Sequence, residues 1–252
     1  MRTFFRRFRM ELDQRALTLR GVTTDGSPLY PEPLEAIFPG IAHQVCEFHI
    51  LKEINKEVLK AVVQARRELK AKLPTLQRGR PSSATARTAA RQKKKLEDKI
   101  ADLFEHRYLF VKHSLSPADK KIFLRITRGL SHLRTLRSIM DRVYQLFDRR
   151  CRTETALEKL AVLRRGIRRF KTLDTTLRKL FTPNIEKALT FLDDSQLPST
   201  SNAVERGYRR HRKMQKSVYR VRTLDHISQR VAIALQRDEQ INGRLKPITM
   251  LH

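Results

Sequence analysis

The chain has 252 residues, of which 40% are hydrophobic, and it carries a formal net charge of +28 at pH 7. This length and apolar content exclude a wholly disordered protein, no apolar run is long enough to span a bilayer, and two cysteines do not make a disulfide framework. The charge predicts a nucleic-acid partner rather than an anionic membrane surface, because helices that bind such surfaces usually carry bulky apolar residues including Trp, which is absent here.

The first fifty residues predict an alternation of helix and strand. Apolar residues at helical spacing favour a helix over Phe4 to Leu17, and the strand that follows ends at the Asp25–Gly26 turn. A short helix opens at Pro31 and closes at Pro39–Gly40, and residues 43–48 predict a second strand. This order is typical of an α/β domain. Two strands do not form a stable sheet unaided, so we expect that earlier strands are absent.

Residues 51–195 predict a nearly all-helical block. An apolar stripe at helical spacing runs from Leu51 to Leu76, after which residues 78–91 lose the period and are rich in Ser, Ala, Pro and Arg. We therefore expect a mobile basic loop at 78–91. This loop would form the tip of an antiparallel helical hairpin, with the helical pattern returning near Leu96 in the second arm.

Ser116–Pro117 predicts the start of the next helix, with Ser as the N-cap and Pro at the first helical position. We expect that helix to continue to Phe147 with a bend at Gly129. The remaining elements expected in chain order are helices over 153–166 and 167–181, a helix from Thr182–Pro183 to Asp193–Asp194, a polar break at 197–202, a basic helix over 203–216, an extended piece at 218–221, an amphipathic helix from Leu224 to Leu235 and a loose tail from Asn242.

Two carboxylates are the candidates for chemistry. Asp25 lies at the carboxyl end of a predicted strand, where α/β folds place functional side chains, although an Asp-Gly pair is also ordinary turn chemistry. Glu205 lies in the first turn of the basic helix, where Asn202 as N-cap and Glu205 would form a capping box. The alternative is that Glu205 shares a divalent ion with Asp25, because Mg²⁺ prefers hard oxygen ligands.

His43, Cys46 and His49 suggest zinc at first sight, but a single C-x-x-H without a second ligand pair is a weak signal. On a strand over 43–48, Cys46 and His49 would lie on opposite faces. We therefore expect Cys46 to be buried and His49 to have a polar or DNA-facing role, and zinc is not expected.

A dense basic run surrounds Glu205. A solvated charged face is the ordinary interpretation of such a run, but its density, with Tyr208 and Tyr219 close by, favours contacts to DNA phosphates. The candidate DNA-binding residues are Arg206, Arg209, Arg210, Arg212, Lys213, Lys216 and Arg220.

Three segments carry a resemblance to a known family. They read T-T-D-G-S-P-L-Y-P, F-P-G-I-A-H-Q-V-C-E-F-H-I-L-K and S-T-S-N-A-V-E-R-G-Y-R-R-H-R-K, within residues 17–52 and 199–222. The chain resembles the DDE-type transposases of prokaryotic insertion sequences, and most nearly the Mutator-like kind, which carry an all-helical insertion in a ribonuclease-H-like catalytic domain. The order of the segments and their long helical separation make the combination more specific than any one of them.

By this resemblance Asp25 matches the second catalytic aspartate, Glu205 matches the catalytic glutamate, and Cys46 with His49 matches a C-x-x-H element. The resemblance implies two Mg²⁺ (or Mn²⁺) ions held by three carboxylates, with DNA strand cleavage and transfer by in-line displacement at phosphorus. It also implies DNA as the partner, at transposon ends and target, with no membrane partner and with a homo-oligomer left open. The implied location is the cytoplasm, in association with the prokaryotic nucleoid.

The chain departs from the family at its start. The family's first aspartate lies on the opening strand of the sheet, whereas only 24 residues precede Asp25 here, and Asp13 falls in a predicted helix. We therefore expect the C-terminal portion of a transposase that is inactive by itself, mainly α with a small α/β part. The expected parts are an incomplete ribonuclease-H-like segment of about two strands at 1–50, a helical insertion at 51–195, a C-terminal helical part of the catalytic domain at 196–240 and a loose tail at 241–252.

A non-enzymatic function is the alternative. A basic helical protein could coat DNA or RNA, or compete with a full-length transposase for its sites. This alternative predicts binding with a steep salt dependence that does not change when Asp25 is neutralised.

Overall fold

The computed structural model describes residues 1–76, 79, 83–168, 182–217, 223, 225–230 and 232–233. The chain divides into two compact units, Met1–Ser199 and Thr200–His252. The described residues are mainly helical with a small two-stranded parallel sheet, which confirms a mainly α chain with a small α/β part.

The α/β part occupies the start of the first unit. Its elements in chain order are α1 (Arg2–Gln14), β1 (Gly21–Thr24), α2 (Pro31–Ile37) and β2 (Ala42–Val45). The two strands pair in parallel, with Gly21 opposite Ala42 and Thr24 opposite Val45. A parallel pair needs a crossover connection, and α2 lies within it. The predicted order of helix, strand, helix and strand is confirmed.

The second strand is shorter than predicted. We expected a strand over 43–48, but β2 ends at Val45, and α3 (Glu47–Ala71) begins directly after its N-cap residue Cys46. The helix prevails here because the apolar stripe of α3 extends back to its first turn, where Ile50 is buried in line with Ile54.

The rest of the first unit is a block of helices. After α3 come α4 (Ala84–Glu105), a 3₁₀ turn (Arg107–Phe110), α5 (Pro117–Ile126), α6 (Ser131–Leu146), α7 (Thr153–Arg168), α8 (Pro183–Lys187) and a second 3₁₀ turn (Thr190–Leu192). The predicted start at Ser116 is confirmed: its hydroxyl accepts from the Asp119 N–H, and the Asp119 carboxylate accepts from the Ser116 N–H. This reciprocal pair satisfies two backbone donors that the helix start leaves without partners.

The prediction of a basic loop over 78–91 is wrong for most of its length. α4 begins at Ala84, where the hydroxyl of Ser83 accepts from the Ala86 N–H at 3.1 Å. Ala is the best helix former, and the run of Ala and Arg from Ala84 onwards continues directly into the apolar part of the helix. Residues 77–78 and 80–82 of the expected loop lie outside the described residues.

Two predicted helix boundaries are also wrong. The expected bent helix is two helices, because Gly129 has φ +75°, a left-handed conformation that separates α5 from α6. The boundary expected after Gly166 is absent, since α7 continues through Gly166 to Arg168. Residues 169–181 of the next predicted helix lie outside the described residues.

α3 and α4 form the predicted antiparallel hairpin. Near the end of α3, Arg66 Nε donates to the carbonyl of Ile100 at 3.2 Å. Nearer the start of α3, the hydroxyl of Tyr144 donates to the carbonyl of Val111 and also lies within hydrogen-bonding distance of the side-chain oxygen of Asn55. Ile100 of α4 thus lies beside the end of α3, and Val111, which follows α4, lies near the start of α3, as in an antiparallel hairpin.

The buried side chains form two clusters. A small cluster of Phe5, Leu34 and Ile37 joins α1 to α2, with Val22 of β1 packed against it. A much larger cluster extends from Val45 at the end of β2 through α3 to α8. The sheet is thus stabilised by packing on helices, which two strands alone do not provide.

One buried polar side chain joins the end of the helical block to the sheet. Gln44, which is 0% exposed, donates to the carbonyl of Ala188 at 2.8 Å and accepts from the Phe191 N–H at 2.9 Å. Beyond this point Thr23 donates its hydroxyl proton to the carbonyl of Pro198 at 2.8 Å, and the Glu47 N–H donates to the carbonyl of Ser199 at 2.9 Å. Residues 188–199 are therefore hydrogen-bonded along β1, β2 and the start of α3.

The second unit contains α9 (Asn202–Ser217), and residues 225–230 and 232–233 are also helical. The predicted extended piece at 218–221 and the tail from Asn242 lie outside the described residues. No helix in the described parts of the chain is long and apolar enough to cross a membrane.

Candidate functional site

Asp25 is an exposed side chain at the carboxyl end of β1, in the turn that the sequence predicts. Its Oδ1 accepts from the Ser27 N–H at 2.9 Å, an Asx turn that holds the carboxylate against its own backbone. Gly26 follows with φ +82°, a conformation that Gly adopts at little cost. The ordinary turn role is therefore present, and the carboxylate also faces solvent, where a ligand can reach it.

Distant residues hold this turn in place. Asn184, in the first turn of α8, donates its side-chain amide to the carbonyl of Gly26 at 3.2 Å, and the Cys46 N–H donates to the carbonyl of Thr24 at 2.7 Å. A Cβ atom at Gly26 would lie 3.0 Å from Cγ1 of Val45. The position of Asp25 thus depends on the close approach of Gly26 to Val45 at the end of β2. The role of Asn184 could not be predicted from the sequence.

His43 of β2 contacts Thr24, the residue that precedes Asp25. Its Nε2 is 2.9 Å from the hydroxyl oxygen of Thr24, which is itself buried. Burial, and secondly the positive charge of Lys187, lower the pKa of His43 below its usual 6.5. His43 is therefore neutral at pH 7 and stabilises the strand end by a hydrogen bond rather than by charge.

Cys46 and His49 lie at the start of a helix and not on a strand. The prediction that they lie on opposite faces is therefore wrong, because residues three apart at a helix start share a side. Cys46 is 0% exposed, as expected, and the His49 N–H donates to its carbonyl at 3.1 Å. The His49 ring packs edge-to-face on Phe48, with 5.8 Å between centroids.

Glu205 lies in the first turn of α9. The helix begins at Asn202, so the N-cap position falls on Ser201 and the predicted capping box centred on Asn202 is wrong. Ser201 donates its hydroxyl proton to Glu205 Oε1 at 3.4 Å, and Arg209 contacts Oε2 at 3.4 Å. These contacts orient the carboxylate, and the positive end of the helix dipole stabilises its charge.

The basic residues around Glu205 share one side of α9. At 3.6 residues per turn, positions 206, 209, 210, 212, 213 and 216 fall within roughly half of the helix circumference. Arg206 and Arg212 are exposed, the Arg209 side chain is 78% exposed, and Arg212 lies 5.7 Å above the exposed Tyr208 ring. The structure describes the backbone but not the side chains of Arg210, Lys213 and Lys216, and Arg220 and Tyr219 lie outside the described residues.

The two carboxylates offer the hard oxygen donors that suit Mg²⁺ or Mn²⁺. Asp25 belongs to the first unit and Glu205 to the second. Among the residues that the structure describes, no group of three or more His, Cys, Asp or Glu side chains is arranged to hold a metal ion. The chemistry of these two donors fits the metal.

The structure also singles out Glu47, for which no role was predicted. Glu47 begins α3, and burial raises the pKa of its carboxyl, an effect that Ser199, Arg149 and His113 partly offset. It lines a cavity of about 720 Å³ together with His113 and Arg149. Its partners are 66 to 152 residues away along the chain, so no local pattern could have revealed it.

Comparison of the chain with protein-family models, with curated proteins and with solved structures finds no match. The case for a function therefore depends on the residues and the geometry of the chain itself.

Proposed function

We propose that this chain acts in DNA transposition, with Asp25 and Glu205 as carboxylates of a site that cleaves and transfers DNA strands. The resemblance of the three motif segments to Mutator-like DDE transposases motivates this function. In this proposal the sheet and α9 belong to a ribonuclease-H-like catalytic domain, and α3 to α8 are its helical insertion.

One observation carries the proposal. The segment that leads into α9 is hydrogen-bonded to β1 and to the start of α3: Thr23 of β1 donates to the carbonyl of Pro198, and the N–H of Glu47 in α3 donates to that of Ser199. Glu205 follows Ser199 by only six residues. This anchoring of the chain just before α9 beside the strand that presents Asp25 supports the proposal.

Each group has a distinct task in the proposed site. The Asx turn fixes the direction of the Asp25 carboxylate, while Ser201 and Arg209 fix that of Glu205. The basic side of α9 binds DNA phosphates and sets the register of the strand on the protein. A bound Mg²⁺ would supply Lewis-acid stabilisation of charge at the phosphorus.

The test is Mg²⁺-dependent cleavage and joining of DNA that carries the ends of the chain's own element. We expect Asp25→Asn and Glu205→Gln each to reduce the rate at least about 100-fold, because each removes a charged metal ligand while keeping the shape of the side chain. Asp13→Asn is the matched control, since Asp13 is an exposed carboxylate of α1 outside the site. Cleavage that survives both substitutions would contradict the proposal.

A non-enzymatic DNA- or RNA-binding protein, or a regulator that competes with a complete transposase, is the second candidate. It is favoured by the exposed basic residues Arg206, Arg209 and Arg212 of α9, which can bind phosphates without a metal ion. On this alternative, binding has a steep salt dependence, and Asp25→Asn changes neither affinity nor salt dependence. In both candidates the protein is associated with nucleic acid, and self-association is left to be measured.

A further inference from the structure

A long open groove runs along α3. It has a volume of about 1490 Å³ and is lined by residues of α3 from Phe48 to Glu68 and by residues of the 3₁₀ turn after α4. The apolar residues Phe48, Leu51, Leu59 and Val63 form part of its floor. Phe48 is 46% exposed and Val63 is 37% exposed, so this floor is open to solvent.

The turn that forms the other wall of the groove is fixed by buried contacts. Arg137 of α6 is only 4% exposed and donates to the carbonyls of Leu109 and Lys112. The hydroxyl of Tyr144 donates to the carbonyl of Val111. Tyr108, which lies on this turn, is nevertheless 59% exposed. The groove therefore presents an exposed aromatic ring on a rigid support.

The rim of the groove is strongly basic. Two acidic residues, Glu57 and Glu68, also line it, and Glu57 is paired with Lys60 at 2.7 Å. The cations that line it are Lys52, Lys56, Lys60, Arg66, Arg67 and Arg107. A groove with this charge attracts a polyanion, and its apolar floor would hold the uncharged part of the same molecule.

Arginine and aromatic side chains are stacked at one end of the groove. The guanidinium of Arg107 lies 4.5 Å from the centroids of both Phe104 and Tyr108, and that of Arg66 lies 4.6 Å from Phe104. Such stacks of rings and guanidinium planes accept the flat faces of nucleic-acid bases without regard to sequence. Phe48 presents a further exposed ring in the same groove.

We propose that this groove binds single-stranded DNA or RNA, with bases stacked on Tyr108 and Phe48 and phosphates bound by the basic rim. A single strand fits because its bases are free to turn into an apolar groove, whereas the bases of a duplex are already paired and stacked. The proposal does not rest on strand-transfer chemistry, because it uses neither Asp25 nor Glu205. It therefore stands or falls separately from the proposed function.

The absence of Trp from the chain permits a direct test. In the full-length protein, Tyr108→Trp places a single indole on the proposed stacking surface, and Phe48→Trp does so at the second ring. Titration with a labelled oligothymidylate follows total binding by anisotropy and local stacking by indole fluorescence. We expect saturable quenching of the indole in both variants, over the same concentration range as the anisotropy change, and weaker quenching by a duplex of equal length.

The matched control is Leu124→Trp, because Leu124 is 54% exposed on α5 and does not line the groove. Its fluorescence should stay unchanged while the oligonucleotide binds. Quenching of equal size in the control, or binding without quenching at Tyr108→Trp, would overturn the proposal. Quenching by an acidic amphipathic peptide but not by the oligonucleotide would also overturn it and assign the groove to a protein partner.

Affinity measurements give an independent readout. We expect Tyr108→Ala to weaken oligonucleotide binding by about tenfold, the size of the loss when one stacked base is released. Tyr108→Phe keeps the ring and should retain affinity within about twofold. Equal affinities for Tyr108→Ala and the unaltered chain would contradict stacking at this residue, whereas a loss with Tyr108→Phe would assign the effect to the hydroxyl.

Discussion

The turn at Asp25 shows what single residues contribute to the candidate site. The Asp-Gly pair makes its own local structure, because the carboxylate accepts from the Ser27 N–H and Gly26 takes a positive φ. Both features could be predicted from the sequence. The contact with Val45 and the hydrogen bond from Asn184 could not, since they depend on how distant parts of the chain pack.

Substitution of Gly26 tests whether this close approach holds the turn. We expect Gly26→Ala to lower the free energy of unfolding by about 2 kcal/mol, because a Cβ atom adds left-handed backbone strain and meets Val45 at 3.0 Å. Chemical denaturation measures the change.

Gly40→Ala separates the two costs. Gly40 has φ +71°, and no atom lies within 4 Å of the position of its Cβ, so this variant should lose only about 1 kcal/mol, the cost of the backbone conformation. If the two variants lose the same stability, the contact with Val45 does not constrain the turn.

At the scale of elements, the start of α5 was predictable from its cap, whereas the start of α3 was not. Ser116, Pro117 and Asp119 supply a local signal that fixes the start of α5. The start of α3 has no side-chain cap, and the residues around Cys46 and Phe48 suit a strand as well as a helix. Only the packing of Ile50 on the core decides between them, and that is a tertiary effect.

The capping box of α5 gives a second prediction. We expect Ser116→Ala to lower the free energy of unfolding by about 1 kcal/mol, because the Asp119 N–H loses its acceptor. Thermal or chemical denaturation measures the effect.

Ser131→Ala is the matched control for this cap. Ser131 is the first residue of α6, and the N-cap residue of that helix makes no side-chain capping bond. Removal of the Ser131 hydroxyl should therefore change the free energy of unfolding by less than about 0.5 kcal/mol. If Ser131→Ala costs as much stability as Ser116→Ala, the loss at Ser116 does not come from the capping hydrogen bond.

At the scale of the whole molecule, the sequence predicted the helical block and the two strands but not what joins them. Gln44 is an ordinary polar residue in a strand pattern, yet its buried side chain bonds to Ala188 and Phe191 across the fold. The groove along α3 was missed for a similar reason. Phe48, Tyr108 and the lysines that line it look like separate surface residues until the hairpin brings them together.

The pairing of Asp25 with Glu205 was one of two interpretations of these carboxylates, and the resemblance favoured it, because no local pattern relates residues so far apart. The hydrogen bonds of Pro198 and Ser199 to Thr23 and Glu47 lie within the first unit, whereas Glu205 belongs to the second. The proposed function requires the two carboxylates to behave as one site, so a metal ion that both would bind is the natural probe.

The most direct measurement is Mn²⁺ binding by the full chain, followed by electron paramagnetic resonance. We expect Asp25→Asn and Glu205→Gln each to weaken binding at least about tenfold, and the double variant to be no weaker than the worse single one, because ligands of one ion are not additive. Asp13→Asn should leave binding unchanged. Losses that simply add in the double variant, or Mn²⁺ affinity that is unchanged by either substitution, would contradict a shared metal site.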